Sequence, residues 1–302
     1  MFHDGERAVQ RRAGVERAAA RVGRNIMSGI PGEYAEFLTS RTFVVLAGCD
    51  ARGRTWASLL AGGAGFARAV DDRRLLLASR LAATDPLAAA LEPPGGSIGI
   101  LAIEPETRSR VRLNGAGERT PDGILVEVTE VFGNCRKFIQ RRLPGHGLDP
   151  PRRPQRPTGT GLDAYQAALI RRADTFFIAS SHPQRGADVS HRGGRPGFVE
   201  ISGGAGTLRF PDYPGNRMFQ TLGNIAVDPR VGLLFIDWQT GSAVQLTGRA
   251  RIVWDKGEVA DWPGAERLVE VAIDAVCEQE RALPARWDLI EASRVNPPLR
   301  AS

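Results

Sequence analysis

The chain is predicted to be mainly β, built as two copies of one strand-rich unit. Three features predict this: a repeat at long spacing, short apolar runs of strand length, and a Pro/Gly-rich stretch between the copies. FVVLAGCDARGRTWASLLAGGAGF, ending at Phe66, aligns with TFFIASSHPQRGADVSHRGGRPGF, ending at Phe198. Ala47 matches Ala179, Ser58 matches Ser190, Gly62 matches Gly194 and Phe66 matches Phe198, each pair 132 positions apart, as 198 is from 66. Further along, SIGILAIEPETRSRVRLNGAG aligns with RVGLLFIDWQTGSAVQLTGRA. There Gly99 meets Gly232, Leu101 meets Leu234 and Gly115 meets Gly248, at a spacing of 133. An offset this constant over about 75 residues of each half marks a duplicated unit.

Within each unit the apolar residues come in short bursts. TFVVLAGCD and FFIASSH are rich in β-branched and aromatic residues, as strands are. RLLLAS and TLRF follow turn signals. SIGILAI and VGLLFI are continuous apolar runs, expected to be buried on both faces. VRLNGAG and VQLTGRARIVW alternate with period two. Regularly spaced short strands point to a barrel or a sandwich. Short helices are expected around them: one with Val15, Ala18, Ala19 and Val22 on a face, and one with Tyr34, Phe37 and Leu38 after Pro31. Tyr165 and Leu169 mark a third, and Leu268, Val269, Ala272 and Val276 a late helix beginning near Pro263.

The prolines and glycines of PGHGLDPPRRPQRPTGTG suit neither helix nor central strand, so residues 144–161 read as a linker. The expected organisation is 1–143 as a first, degenerate unit with leading helices, 144–161 as linker, and 162–302 as a second unit.

Composition excludes more than it assigns. The net charge is +6, but lysine occurs only at Lys137 and Lys256. The positive charge is therefore scattered arginine with no aromatic-basic stretch, which argues against a nucleic-acid surface. Three widely spaced cysteines, without C-x-x-C, fit neither a disulfide framework nor a zinc site, and imply a reducing cytoplasm. The N-terminus lacks the apolar core of a secretory signal, and no apolar run is long enough to span a bilayer. Walker A, G-x-S-x-G and H-E-x-x-H motifs are absent. The four histidines lack ligand spacing. His182 and His191 are expected at the surface beside a hairpin, with a catalytic role for His191 as the alternative.

FPDYPGNRMFQTLGN, from Phe210 to Asn224, lies between two strongly apolar strands of the second unit. The matching segment of the first unit, SRLAATDPLAAALEPPGG from Ser79, has no Gly-Asn-Arg. A turn needed only to join strands would be needed in both copies, so the difference suggests a ligand. Gly215 allows close backbone approach. Asn216 is expected to cap a helix starting at Arg217, which carries Phe219, Leu222 and Ile225 inward and ends by Asp228-Pro229. A helix N-terminus beside an arginine suits an anion, phosphate being the natural guess. An ordinary capped loop helix is the alternative.

DVSHRGGRPGFVEI, FPDYPGNR, NIAVDPRVGLLFIDW and VQLTGRARIV resemble the pyridoxamine 5′-phosphate oxidase-like flavoproteins, the FMN-binding split β-barrels. VFGNCRKFIQRR, residues 131–142, resembles the segment that closes the barrel in their long, two-unit subfamily. The resemblance covers nearly the whole chain and is stronger in the second unit. It implies two tandem six-stranded antiparallel split β-barrels forming an intrachain pseudo-dimer, with FMN in the groove between them.

It also implies a distribution of roles. The second unit would offer Ser190, Arg192 and a Phe198–Val199 strand to the flavin ring, and Asn216, Arg217 and Thr221 to the phosphate. The family's cross-interface position falls on Arg110, next to Arg112; in the second unit the same position is Ala243. One FMN site per chain follows, with the mirror-image site empty. Lys137 and Arg136 would face the groove or form a solvated helix face. No general acid or base stands out, and no metal is implied.

The resemblance therefore implies a flavoprotein oxidoreductase acting on an unidentified small molecule, with NAD(P)H or a separate reductase as electron partner. It would be a monomeric pseudo-dimer or a homodimer, with no nucleic-acid or membrane partner. A non-catalytic flavin-binding or storage module is the alternative, and a haem-binding split barrel a third.

Overall fold

The computed structural model describes residues 2–92, 96–133, 135–149, 158–204 and 206–300. The part of the expected linker at 150–157 lies outside them. In chain order the elements begin with α1 (Asp4–Arg12), α2 (Glu16–Gly23) and α3 (Gly32–Thr39). The first unit follows as β1 (Phe43–Cys49), β2 (Thr55–Ala61), β3 (Ala67–Ala69), β4 (Arg74–Leu77), β5 (Gly96–Glu104), β6 (Ser109–Thr120) and β7 (Gly123–Gly133). After β8 (Arg141–Pro144) and α4 (Ala164–Arg172) come β9 (Thr175–His182), β10 (Gly186–Gly193), β11 (Glu200–Ser202) and β12 (Thr207–Asp212). Then follow α5 (Gln220–Val227), β13 (Arg230–Ile236), β14 (Ala243–Val253), α6 (Lys256–Ala260), β15 (Arg267–Gln279) and β16 (Trp287–Glu291).

The two large sheets have the same topology. One runs β2-β1-β5-β6-β7-β4-β3 and the other β10-β9-β13-β14-β15-β12-β11, all neighbours antiparallel. Each counts seven strands, the six expected and a three-residue edge strand, β3 or β11. The register repeats as well: Ser58 faces Leu46 across β1–β2, and Ser190 faces Ile178 across β9–β10. Both copies carry a bulge in the same place, at Asn114/Gly115 and at Thr247/Gly248.

The continuous apolar runs are explained by two cores meeting at one strand. On β1, Val44 and Leu46 enter the core of the first sheet, while Phe43, Val45 and Ala47 enter a shared core. On β9, Phe176 and Ile178 enter the core of the second sheet, while Phe177 and Ala179 join the shared one. Successive side chains of a strand point to opposite faces, so a strand between two cores must be apolar throughout. β5 and β13 behave alike: Leu101 and Leu234 lie in the shared core. The backbones approach closely at two related points. A Cβ on Gly99 would lie 2.8 Å from the Asp188 Cα, and one on Gly232 would lie 2.5 Å from the Trp56 Cα. Only glycine allows this approach.

One expected helix is a strand. The late helix from Pro263 is instead strand β15, paired with β14 and β12. Leu268, Val269, Ala272 and Val276 do fall at helical spacing. Val269, Val271 and Ile273, however, are β-branched at period two, and the strand fills the gap between two neighbours, a gain that outweighs a helical pattern. The ends of the units are also tied across the molecule: β8 pairs with β16, and α1 packs on α5 of the second unit.

Candidate functional site

β6 of the first sheet runs beside β10 of the second, and α5 caps the seam. Arg110 and Arg112 reach across from β6, two residues apart on one face. From the other side come Ser190 and Arg192 on β10, the loop 213–219 and the first turn of α5. These residues line one cavity of about 80 Å³. Four arginines (Arg110, Arg112, Arg192 and Arg217) and one carboxylate, Asp212, lie along it.

The arginines are not equally engaged. Arg112 is buried in an ion pair with Asp188, and its Nη1 donates to Gln220 Oε1 at 3.1 Å. Arg192 pairs with Asp212 at 3.1 Å, and Arg267 also approaches Asp212, at 3.4 Å. Arg110 and Arg217 have no carboxylate partner among the described residues. Burial holds the Arg110 guanidinium down to about 10, with Arg192 adding to the effect. Burial and the two neighbouring arginines hold Arg112 down to about 9. Both remain cationic at neutral pH. An anion between them would offset the mutual repulsion that adds to the effect of burial.

Unpartnered polar atoms surround the same space. The Nε of Arg110 and of Arg192 and the Nε2 of His191 are buried without a hydrogen-bond partner. Such atoms are rare in folded proteins and call for an explanation. Thr221 Oγ1 donates to Ser190 Oγ at 2.9 Å. A Cβ on Gly215 would meet only one atom within 4 Å, the Tyr213 carbonyl oxygen at 3.9 Å, so the loop leaves room beside the cavity.

The loop before α5 is strained and held. Arg217 and Phe219 have φ of 65° and 62°, the left-handed region that costs a non-glycine residue about 1 kcal/mol or more. Between them Met218 is anchored at three points. Its N–H donates to Asn216 Oδ1 at 3.0 Å, its carbonyl accepts from Gln10 Nε2 at 2.9 Å, and its side chain is buried. Gln10 belongs to α1, so the N-terminal helix braces the loop that presents Arg217. His3 Nε2 lies 2.9 Å from Asn224 Oδ1 on the same seam.

Of the residues singled out in the sequence, Arg110, Arg112, Ser190, Arg192, Asn216, Arg217 and Thr221 meet at this cavity. The others are elsewhere or differ. Phe198 and Val199 are not a strand. β11 begins only at Glu200, and their side chains are buried, with Phe198 stacked on Phe176 at 5.7 Å. They line a separate cavity of about 320 Å³ that shares Tyr213 with the first. The turn at residues 195–198 replaces the expected strand because Gly197 takes a positive φ of 97°. Lys137 is exposed in a turn, not on a helix, and does not line the cavity. The next residue, Phe138, also takes a positive φ, which breaks any helix there.

α5 starts at Gln220, three residues later than expected, because Arg217 and Phe219 are left-handed. Asn216 therefore closes a local turn onto Met218 and is not the helix cap. His191 is buried, not at the surface, its ring edge-on to Phe177 at 5.8 Å. Burial first, then Arg110, Arg192 and Arg142, push its imidazole well below the usual value, so it is neutral.

Sequence reasoning missed Asp188, Asp212, Tyr213 and Gln220. A signal existed for the first: Asp188, Ser190 and Arg192 recur at period two on one face of a largely buried strand, opposite Ser180, Ile178 and Phe176 of β9. Polar residues on an enclosed face mark a site. Among the described residues, no group of three His, Cys, Asp or Glu side chains is placed to hold a metal ion, and no helix is long and apolar enough to cross a membrane.

Residues 162–291 match the family model of pyridoxamine 5′-phosphate oxidase. No curated protein sequence matches the chain. Among solved structures, a candidate pyridoxamine 5′-phosphate oxidase from Lactobacillus delbrueckii is similar at 17% identity and a TM-score of 0.33, over 38% of this chain and 93% of that one. HupZ of Group A Streptococcus is similar at 10% identity and a TM-score of 0.32, over 41% and 98%. The FAD binding protein from Mycobacterium smegmatis is similar at 16% identity and a TM-score of 0.29, over 40% and 97%. The likeness to the pyridoxamine 5′-phosphate oxidase family model thus lies in the second unit, residues 162–291.

Proposed function

We propose that the seam binds FMN and that the protein is a flavin-dependent oxidoreductase acting on a small molecule. One observation carries the reading: arginines from one sheet and the Asn216–Arg217 loop of the other converge on a cavity with unpartnered buried donors. At about 80 Å³ the enclosed part is far below the roughly 300 Å³ and more of a whole-cofactor pocket, and suits a phosphate group. The residues fit that end of FMN: Arg217, Arg110 and Thr221 are cationic or hydroxyl donors at its wall. The ring would then extend beyond the enclosed part.

When bound, the flavin supplies two-electron chemistry. The chain's contribution is to hold the anion and orient the cofactor. Arg112 is held by Asp188, so its position is fixed before any ligand arrives. His191 is buried and neutral beside the cavity, able to accept or donate one hydrogen bond but not to serve as a charged partner. The NAD(P)H or reductase partner and the oligomeric state belong to the same proposal.

The test is the absorption spectrum of the purified protein, followed by FMN titration of Arg217→Ala. A charge-assisted phosphate contact contributes about 1.5–3 kcal/mol, so the dissociation constant should rise roughly tenfold or more. A colourless protein that ignores added FMN contradicts the proposal. A yellow protein that no NAD(P)H or reductase can reduce would leave a flavin-binding module.

A further inference from the structure

The duplicated fold creates a second cleft related to the first. Gln245 on β14 faces Leu234, as Arg112 on β6 faces Leu101. Ser58 stands where Ser190 does. Ala243 stands where Arg110 does, across from Ile236 as Arg110 is across from Ile103. A cavity of about 520 Å³ opens there, with Leu59, Gly62, Arg80, Asp85, Gln279 and Arg281 among its walls.

We propose that Asp85 is an internal anion: its carboxylate takes the donors of this mirror cleft and keeps the cleft from accepting an anionic ligand. The inference deepens the FMN reading and rests on it for the identity of the opposite site.

Three donors converge on Asp85. Ser58 Oγ donates to its Oδ1 at 2.7 Å, the Leu87 N–H donates to the same oxygen at 2.8 Å, and Gln245 Nε2 donates to Oδ2 at 3.1 Å. Gln245 also donates to Ser58 Oγ at 2.8 Å, which locks the group together. Asp85 comes from the connection between β4 and β5, the counterpart of the connection between β12 and β13 that carries Asn216 and Arg217. It is buried, 6% exposed, and no arginine pairs with it among the described residues. Burial pushes its carboxyl up, and the hydrogen bonds from Ser58, Leu87 and Gln245 only partly offset this. An oxyanion entering here would meet a fixed acceptor where it needs a donor; Arg80 and Arg281 lie in the walls, but neither pairs with Asp85 among the described residues, and Arg80 donates to the Pro121 carbonyl. Loss of Gly-Asn-Arg from the first unit is thus matched by gain of an acid that satisfies the remaining donors.

The test uses inorganic phosphate and formate on the full chain. Calorimetric titration with inorganic phosphate should give one equivalent for the wild type. Asp85→Ala should gain a second equivalent, roughly tenfold weaker because Gln245 lacks charge. Asp85→Ala should also melt several degrees lower in sodium chloride and recover at least half of that in equimolar sodium formate, with the wild type indifferent to the exchange. A second equivalent in the wild type, or no gain of phosphate and no formate effect in the variant, overturns the inference. If the wild type takes no phosphate and Asp85→Ala takes one, the seam reading fails while the role of Asp85 stands. Should Asp85→Ala fail to fold, refolding from denaturant decides: recovery only with formate supports the inference, and failure in both salts overturns it.

Discussion

Arg110 and Arg112 lie two positions apart on β6 and differ in one respect, a partner. Arg112 is spent on Asp188, while Arg110 has no carboxylate among the described residues. The two should therefore fail differently. Arg112→Ala leaves the Asp188 charge buried and uncompensated, which costs about 3–5 kcal/mol. Chemical denaturation should read a loss of that order, and the double variant Arg112→Met/Asp188→Leu should recover most of it. A full loss that persists in the double variant would mean the pair is not what holds this part of the seam. Arg110→Ala should change stability little and ligand affinity much. At this scale the sequence was informative wherever chemistry is local: seven of the ten residues singled out meet at one cavity. Gln220 was not legible, because its importance lies in a contact with Arg112, 108 positions earlier.

Helix α1 shows what an element can do far from its own unit. Its Gly5 packs on the α5 backbone at Gly223, and Gln10 and His3 bond the loop and helix that flank the cavity. Glu6 sits in the same seam, its carboxyl pushed up to about 7 by burial first, while burial and His182 push His3 down to about 4. The contact at 3.5 Å between them is thus one of neutral groups between those two values. Glu130, Arg185 and Arg112 also act on Glu6, and their signs oppose.

A carboxyl raised in the folded state contributes stability below its ordinary value near 4.5, and that contribution is lost as pH rises through about 7. Glu6→Gln keeps the acceptor for the His3 N–H and removes the titration. The variant should therefore gain on the wild type between pH 5 and 8, by on the order of 2 kcal/mol. Equal pH profiles of melting temperature would show that Glu6 is not the source. The elements themselves were largely legible. β15 was misread because Leu268, Val269, Ala272 and Val276 fit a helical period while Val269, Val271 and Ile273 fit period two, and only the gap between β14 and β12 decides between them. The start of α5 was misread because left-handed arginine and phenylalanine have no sequence signature comparable to glycine's.

The whole molecule is two sheets of one topology joined face to face through a shared core. The constant offset of the repeat made that arrangement readable in advance, since two copies of one unit can bury the same face against each other. Its weak points should be the two glycine contacts. Gly99→Val puts side-chain atoms into the Asp188 backbone and must push β10 away. A loss of about 1–3 kcal/mol or more is expected, together with weaker ligand binding, although Gly99 does not line the cavity. Unchanged stability would mean the sheets do not press together there.

The central claim is a single anionic-cofactor site completed by both sheets. FMN titration of the wild type beside Arg110→Ala tests it most directly. The account predicts one FMN per chain and a dissociation constant raised roughly tenfold or more in the variant, with the melting temperature nearly unchanged. Two FMN per chain, or an Arg110→Ala protein that binds as tightly as the wild type, would contradict it.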